Sequence, residues 1–469
     1  MRAKLAPGGS LPDHSASGVA HPQGRGLVDL LLFLGVVAMF SLSGFALEFF
    51  GIPYNSPGGS IVTKIHPATY LFVMALGLAV IANPNPVAYM FDLMARCLGS
   101  TFLLVACILL WIFISRFKGD QPASFLIDAI MVAAIIYMLF ADVGDHSRLN
   151  IARTVHILMV VNCCLSLVEG LSGWRLFPFV LNDTEQEWEY RATALLGHPL
   201  GGALATGVYT IVLTTVRDVR GLGTRWRVPV ILLCMAAMPF IGSRVSFLIV
   251  YATVATVVGL QFLMFLRGDA ISTRMLVVVL LLLPLAFLAL FTLYELGVFD
   301  NFLNRFINDK GSARSRLELF KLFEDISLRN LLLGYRLISL ETQTRLGGLV
   351  EGIENSWAGH ALRYGVVMTA MLWFGIAGWF VDMLRAAGRG VILPLAYIFL
   401  ILSTTVGISG KTNMMSVPAV IILALIGKGR QAVSSGRGTA GVNDVLSRIG
   451  RGPPVAGAGG VRLPPQCQS

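Results

Sequence analysis

The chain has 469 residues, of which 55% are hydrophobic and only 13% charged, and it carries a formal net charge of +10. A soluble globular protein is roughly a quarter charged, so this composition excludes a water-soluble enzyme and puts most of the chain in lipid. The positive excess sits in short loops and the C-terminal tail, where lysine and arginine fix orientation across a bilayer, and it does not mark a nucleic-acid binder.

The first 26 residues are polar and read as a cytoplasmic tail. The apolar run that follows lasts more than 20 residues and has no small-residue cleavage site after it, so it predicts a retained first span and not a removable signal peptide. A helix needs about 20 apolar residues to cross the hydrocarbon core. On that measure spans fall near 27–49, 66–83, 97–116, 124–142, 151–169, 196–216, 228–241, 245–266, 275–297, 361–383, 391–409 and 413–427. The predicted fold class is therefore all-α, a polytopic integral membrane protein of about twelve transmembrane helices. A large, partly helical outer loop joins helices 9 and 10. The divisions are 1–26 (tail), 27–297 (helices 1–9), 298–360 (outer loop), 361–427 (helices 10–12) and 428–469, a basic tail rich in Gly, Ser and Pro that reads as disordered.

Lys and Arg set the orientation. With the N-terminus inside, Arg217 to Arg227, Arg267 to Arg274, Arg385 to Arg389 and the C-tail fall on the cytoplasmic side, and only Arg116-Phe117-Lys118 falls on the other. Both termini are then cytoplasmic, and the loop 300–359 is external. Five of the six cysteines lie in or beside apolar runs, with no CxxC pair, so neither a disulfide framework nor a metal site is expected. No internal repeat is visible, which weighs against an inverted-repeat transporter.

The long loop holds most of the candidate chemistry. Ser315-Arg316-Leu317-Glu318 fits a capping box, followed by an amphipathic helix over Leu317, Phe320 and Ile326. Arg316 lies in its first turn and Arg314 just before it. Guanidinium groups beside a helix N-terminus suit a phosphate; the plainer reading is a surface helix whose arginines face lipid headgroups. Gly242-Ser243-Arg244 opens a span at the outer surface, and Arg244 either snorkels to headgroups or points into an outer cavity. Glu354 and His360 flank the start of the tenth span and are the two candidate general bases; a histidine there is otherwise an ordinary interfacial residue. His198-Pro199 starts the sixth span, where packing competes with function. Asp128, His156 and Glu169 are isolated polar groups near spans, and of these Asp128 is the one with a candidate site role.

Several of these segments together resemble the O-antigen ligase and polymerase superfamily of bacterial polysaccharide assembly. Arg316-Leu317-Glu318-Leu319-Phe320, then Asp325-Ile326 and Leu331-Leu332-Leu333-Gly334, is similar to that family's arginine-led loop helix and the turn after it, with Asn330-Leu331 where proline is usual. Gly242-Ser243-Arg244 resembles its Ser-Arg pair, and Gly197-His198-Pro199 its Gly-x-x-Asn-Pro-Asn segment without the asparagines. Glu354-Asn355-Ser356-Trp357, with Gly365 beyond, resembles its His-Asn-x-aromatic motif, with Glu354 in the place of the histidine.

The resemblance implies a metal-independent, cofactor-free, inverting glycosyl transfer at the periplasmic face of the inner membrane. Its donor is an undecaprenyl-diphosphate-linked oligosaccharide. Arg244 and Arg316, with Arg314 as a third, would bind the diphosphate as charge builds on it. Glu354 or His360 would act as base, and Asn355, His198 and Asp128 would support them. A repeat-unit polymerase for exopolysaccharide, capsule or O-antigen is the expected activity, with an O-antigen ligase, a polysaccharide transporter or flippase, and a non-catalytic scaffold as its rivals. Membrane lipid, a flippase and a chain-length regulator are the expected partners, and no nucleic acid.

Overall fold

The computed structural model describes residues 22–267 apart from 57–59, 119–123, 179, 182–183 and 186–190, then positions 295, 297, 300, 323, 324 and 326–336, and finally 355–426 apart from 406 and 409. Arg314, Arg316, Glu354, the ninth predicted span up to position 294 and the tail 428–469 lie outside the described residues.

Fourteen α-helices account for most of the described structure. In chain order they are α1 (Pro22–Ser41), α2 (Gly44–Phe49), α3 (Pro67–Ile81), α4 (Pro86–Arg96), α5 (Leu98–Phe113), α6 (Val132–Asp142), α7 (Asp145–Ser172), α8 (Pro199–Thr215), α9 (Thr224–Ile241), α10 (Arg244–Leu266), α11 (Leu328–Leu333), α12 (Ser356–Ala387), α13 (Ile392–Thr404) and α14 (Ser416–Leu425). The antiparallel pair Val180–Leu181 with Thr184–Glu185 is the sole sheet among the described residues. Proline just inside a helix start, behind a capping side chain, sets three of the entries. His66, Asn85 and His198 each accept a backbone N–H from α3, α4 and α8.

Among the described residues, five helices are long and apolar enough to cross a membrane: Leu98–Lys118, Asp145–Ser172, Thr224–Ile241, Arg244–Leu266 and Ser356–Ala387. Four shorter apolar helices, α3, α8, Arg389–Thr404 and α14, accompany them. The protein is thus a predominantly helical, multi-pass membrane protein. Its core helices are α8 and α14, whose side chains are buried almost all round. By contrast α10 buries only Ser246 and Val250 among the described residues and turns Leu248, Leu260, Phe262 and Leu266 outward, the pattern of a helix whose solvent is lipid.

Small residues let the helices close up. A Cβ on Gly99 of α5 would lie 2.0 Å from the Gly378 carbonyl oxygen of α12, so the two backbones meet directly, as packing in lipid favours. Polar ties fix α12 on both sides, to α5 through Ser100 and to α6 through Ala133. The Ser100 amide and hydroxyl donate to Asp382 Oδ2 at 2.7 and 3.0 Å, and Trp379 Nε1 donates to the Ala133 carbonyl at 3.2 Å. The thiols of Cys163 and Cys234 also meet in the core, at 3.7 Å.

The bundle has two chemically distinct ends. Where α1 begins, here the near end, Asp142 accepts from Arg96 at 2.7 Å and from the Tyr89 hydroxyl at 2.8 Å, and Arg220 pairs with Asp145 at 2.9 Å. The sequence reading missed α4, an 11-residue helix that brings Arg96 into this arrangement. Where α1 ends, the far end, gather the N-termini of α3, α8 and α14 and the loops around them. Arg116-Phe117-Lys118 is not alone as a basic exception at the far end: Lys64 and Lys411 stand there too, each donating to the loop 53–56.

Candidate functional site

The far end carries two built features. The first is the entry of α12. Asn355 caps it, its Oδ1 accepting from Trp357 N at 2.9 Å and Ala358 N at 3.1 Å. The helix is broken at Gly365, where φ is 79° and ψ 163°, a region that only glycine occupies cheaply. The break receives α11. Gly334, with φ 75° and ψ 163°, packs its backbone on Arg363 and Tyr364, and the Tyr335 amide donates to the Leu362 carbonyl at 2.7 Å. Lys118 Nζ then donates to the carbonyls of Gly334 and Tyr335, both at 2.8 Å. The basic residue that broke the sequence pattern is a bolt between α5 and the described end of the long loop.

His360 lies one turn into α12 and is fully buried. It stacks with Phe125 and Tyr364 at centroid distances of 6.3 and 5.8 Å and meets the edge of Trp373 at 6.4 Å. The Ile408 backbone lies towards the ring, yet neither ring nitrogen closes a hydrogen bond of normal geometry. A base in such a box needs the box to open before a hydroxyl reaches it.

The second feature is a cavity of about 350 Å³ between α1, α8 and α14 and the loop 43–56. Its polar lining includes Ser43, Glu48, Tyr54, Asn55, His198, Lys411 and Asn413, over an apolar base of Met39, Phe45 and Met414. That volume is at the lower end of small-ligand sites, about 300–1,000 Å³. The lining is held from behind by Asp128, which is fully buried. Its carboxylate accepts from the Tyr54 hydroxyl at 2.8 Å, the Thr69 hydroxyl at 2.6 Å and the His66 amide at 3.1 Å. Asp128 is thereby committed to positioning the wall. Lys411 crosses the opening, its Nζ donating to the Tyr54 carbonyl at 2.9 Å and lying 4.8 Å from the Tyr54 ring. Burial first, and the neighbouring charge of Lys64 second, hold its amine below the ordinary lysine value, against the attraction of Asp128 and Glu48.

The structure sorts the remaining predicted residues. His198 lines the cavity while its Nδ1 accepts from the Leu200 amide at 3.2 Å, so capping and lining coexist. Arg244 is half-buried at the first turn of α10 and is not part of this lining. His156 and Glu169 are satisfied internally: His156 meets the Tyr209 hydroxyl at 2.7 Å, and Glu169 Oε2 accepts the amides of Thr193 and Ala194 at 2.8 and 2.9 Å. Sequence reasoning passed over Lys411, Asn55 and Asn413. The one signal for them was a lysine between the last two spans, on the side that the positive-inside pattern leaves poor in lysine.

Fold and site together define a polytopic helical membrane protein with a polar cavity and a clamped loop at one end. No family model matches the chain. A probable aquaporin of the TIP type from Antirrhinum majus is 28% identical over 201 residues, which is 39% of this chain and 74% of the plant protein.

Proposed function

We propose that the chain is a polymerase of undecaprenyl-diphosphate-linked repeat units, working by inverting, metal-independent glycosyl transfer. In this reading it has twelve spans with both termini in the cytoplasm of a bacterium, and its far end is the periplasmic face of the inner membrane. The observation that carries the reading is the clamp. The Leu331-Leu332-Leu333-Gly334 turn, which the resemblance puts just after the arginine-led helix, is bound to the break at Gly365, which it puts just after the Glu354-Asn355 segment. A loop tied so tightly to a span can deliver Arg314 and Arg316 to a fixed place. Arg244 opens α10 and is the remaining diphosphate ligand of the reading. The enclosure of His360 favours Glu354 as the base, worth about 10²–10⁴-fold.

A ligase that hands the same donor to lipid A core is the neighbouring reading. A transporter is the second, and the partial similarity to a plant aquaporin favours it. Against it, the buried acids Asp128 and Glu169 and the Oδ2 of Asp382 are all occupied by hydrogen bonds within the protein, which leaves them poor members of an ion or proton path. The deciding experiment is glycan chain length on a gel from cells lacking the protein, complemented with wild type, Arg316→Ala or Glu354→Ala. Single repeat units in the null and in both variants are expected. Long chains on the carrier with none on lipid A core identify the ligase, and full-length polymer in the null removes both.

A further inference from the structure

The far-end cavity contains polar groups that the fold itself does not use. Among the described residues, the carboxamides of Asn55 and Asn413 make no hydrogen bond within the protein, although both line the cavity. Lys411 spends one ammonium proton on the Tyr54 carbonyl and has no other hydrogen-bond acceptor among the described residues. The acids beside them are occupied. Glu48 Oε1 accepts the amides of Asn55 and Ser56, the latter at 2.8 Å, and Oε2 accepts the Ser56 hydroxyl at 2.7 Å. Asp128 is saturated behind the wall. The lining itself has one lysine, Lys411, and one carboxylate, Glu48, so the cavity has no excess of cations with which to hold a diphosphate.

We propose that this cavity is a saccharide subsite that takes one uncharged pyranose ring. Each carboxamide offers two donors and an acceptor, which matches neighbouring hydroxyls, and Lys411 adds donors for another. Phe45, Met39 and Met414 supply an apolar surface for the carbon face of the ring. The volume suits one sugar and excludes a whole repeat unit. Assigning the sugar to the acceptor glycan rests on the polymerase reading; the saccharide site itself does not.

The test is saturation-transfer NMR on the full-length protein in nanodiscs, with glucose, galactose, N-acetylglucosamine and glycerol phosphate each at millimolar concentration. Transfer to at least one sugar is expected. It should be about tenfold weaker in Asn55→Ala/Asn413→Ala, the equivalent of one or two net hydrogen bonds. Because neither carboxamide bonds to another described residue, the Asn55→Ala/Asn413→Ala variant should keep the wild-type thermal midpoint, and a Lys411→Met variant that stays folded at the assay pH gives an independent reading of the same loss. Transfer to none of the sugars, or equal transfer in the variants, overturns the proposal. Transfer to glycerol phosphate alone overturns it in favour of a lipid-headgroup site. Sugar binding with full-length polymer in the null strain leaves this site standing and removes the polymerase reading; absence of sugar binding with short chains in the null does the reverse.

Discussion

A buried polar residue in a membrane protein invites a functional assignment, and here the bonding partners decide each case. Glu169 holds together the turn that leads into α8. It captures the amide of Ala194, whose φ of 43° is the one positive value outside glycine among the described residues. Glu169→Ala leaves several buried amides without an acceptor and should cost on the order of 2–4 kcal/mol, read as a lowered thermal midpoint, while Glu169→Gln keeps an acceptor and recovers part of it. His360 differs, since its ring contacts are aromatic and neither nitrogen closes a hydrogen bond of normal geometry among the described residues. His360→Phe should retain polymer of normal length, whereas Glu354→Ala should not; the reverse pattern on the gel would make His360 the base. Lys411 gives a pH signature. Its folded value lies below the unfolded one of about 10.4, so the unfolded chain binds the proton more tightly. The resulting cost is absent above the unfolded value and fully present below the folded one, so stability rises with pH across that alkaline window. Lys411→Met should flatten that rise when the thermal midpoint is followed against pH.

Between elements, the decisive contact is α11 against α12. Gly334 and Gly365 both occupy a glycine-only region, and a Cβ on Gly365 would lie 2.0 Å from the Leu332 carbonyl oxygen. Gly365→Ala therefore combines backbone strain of about 1–3 kcal/mol with a direct backbone clash. It should release α11, seen as faster hydrogen exchange at Tyr335 and loss of polymer, with the near-end helices unchanged. Lys118→Met removes two hydrogen bonds from the same clamp and should produce a weaker version of that result.

For the whole molecule, the two ends differ in what their charges do. At the near end arginines pair with aspartates, as Arg96 with Asp142 and Arg220 with Asp145; at the far end Lys64, Lys118 and Lys411 donate to backbone carbonyls. If the far end is periplasmic, alkaline phosphatase fused after Ser409 should be active in cells and the same enzyme fused after Gly427 inactive. The opposite pattern would invert the molecule and place the cavity in the cytoplasm.

The sequence by itself determined the class of the protein and where its long apolar helices lie. Apolar run length and the scarcity of charge are local properties, and α5, α7, α9 and α12 fall where those runs lie, lengthened at their ends by caps such as Asn355 and by the π-helical turn Ile114–Lys118. The sequence also marked Gly334, Gly365, His198 and Asp128 as unusual. It could not say what each one meets, because those meetings join residues far apart in the chain: Lys118 with Gly334, Asp128 with Tyr54 and His66, Lys411 with Tyr54. The cavity was invisible for the same reason. Asn55 and Asn413 are ordinary loop residues in sequence, and only the packing of α1, α8 and α14 brings them to one opening with their carboxamides unspent.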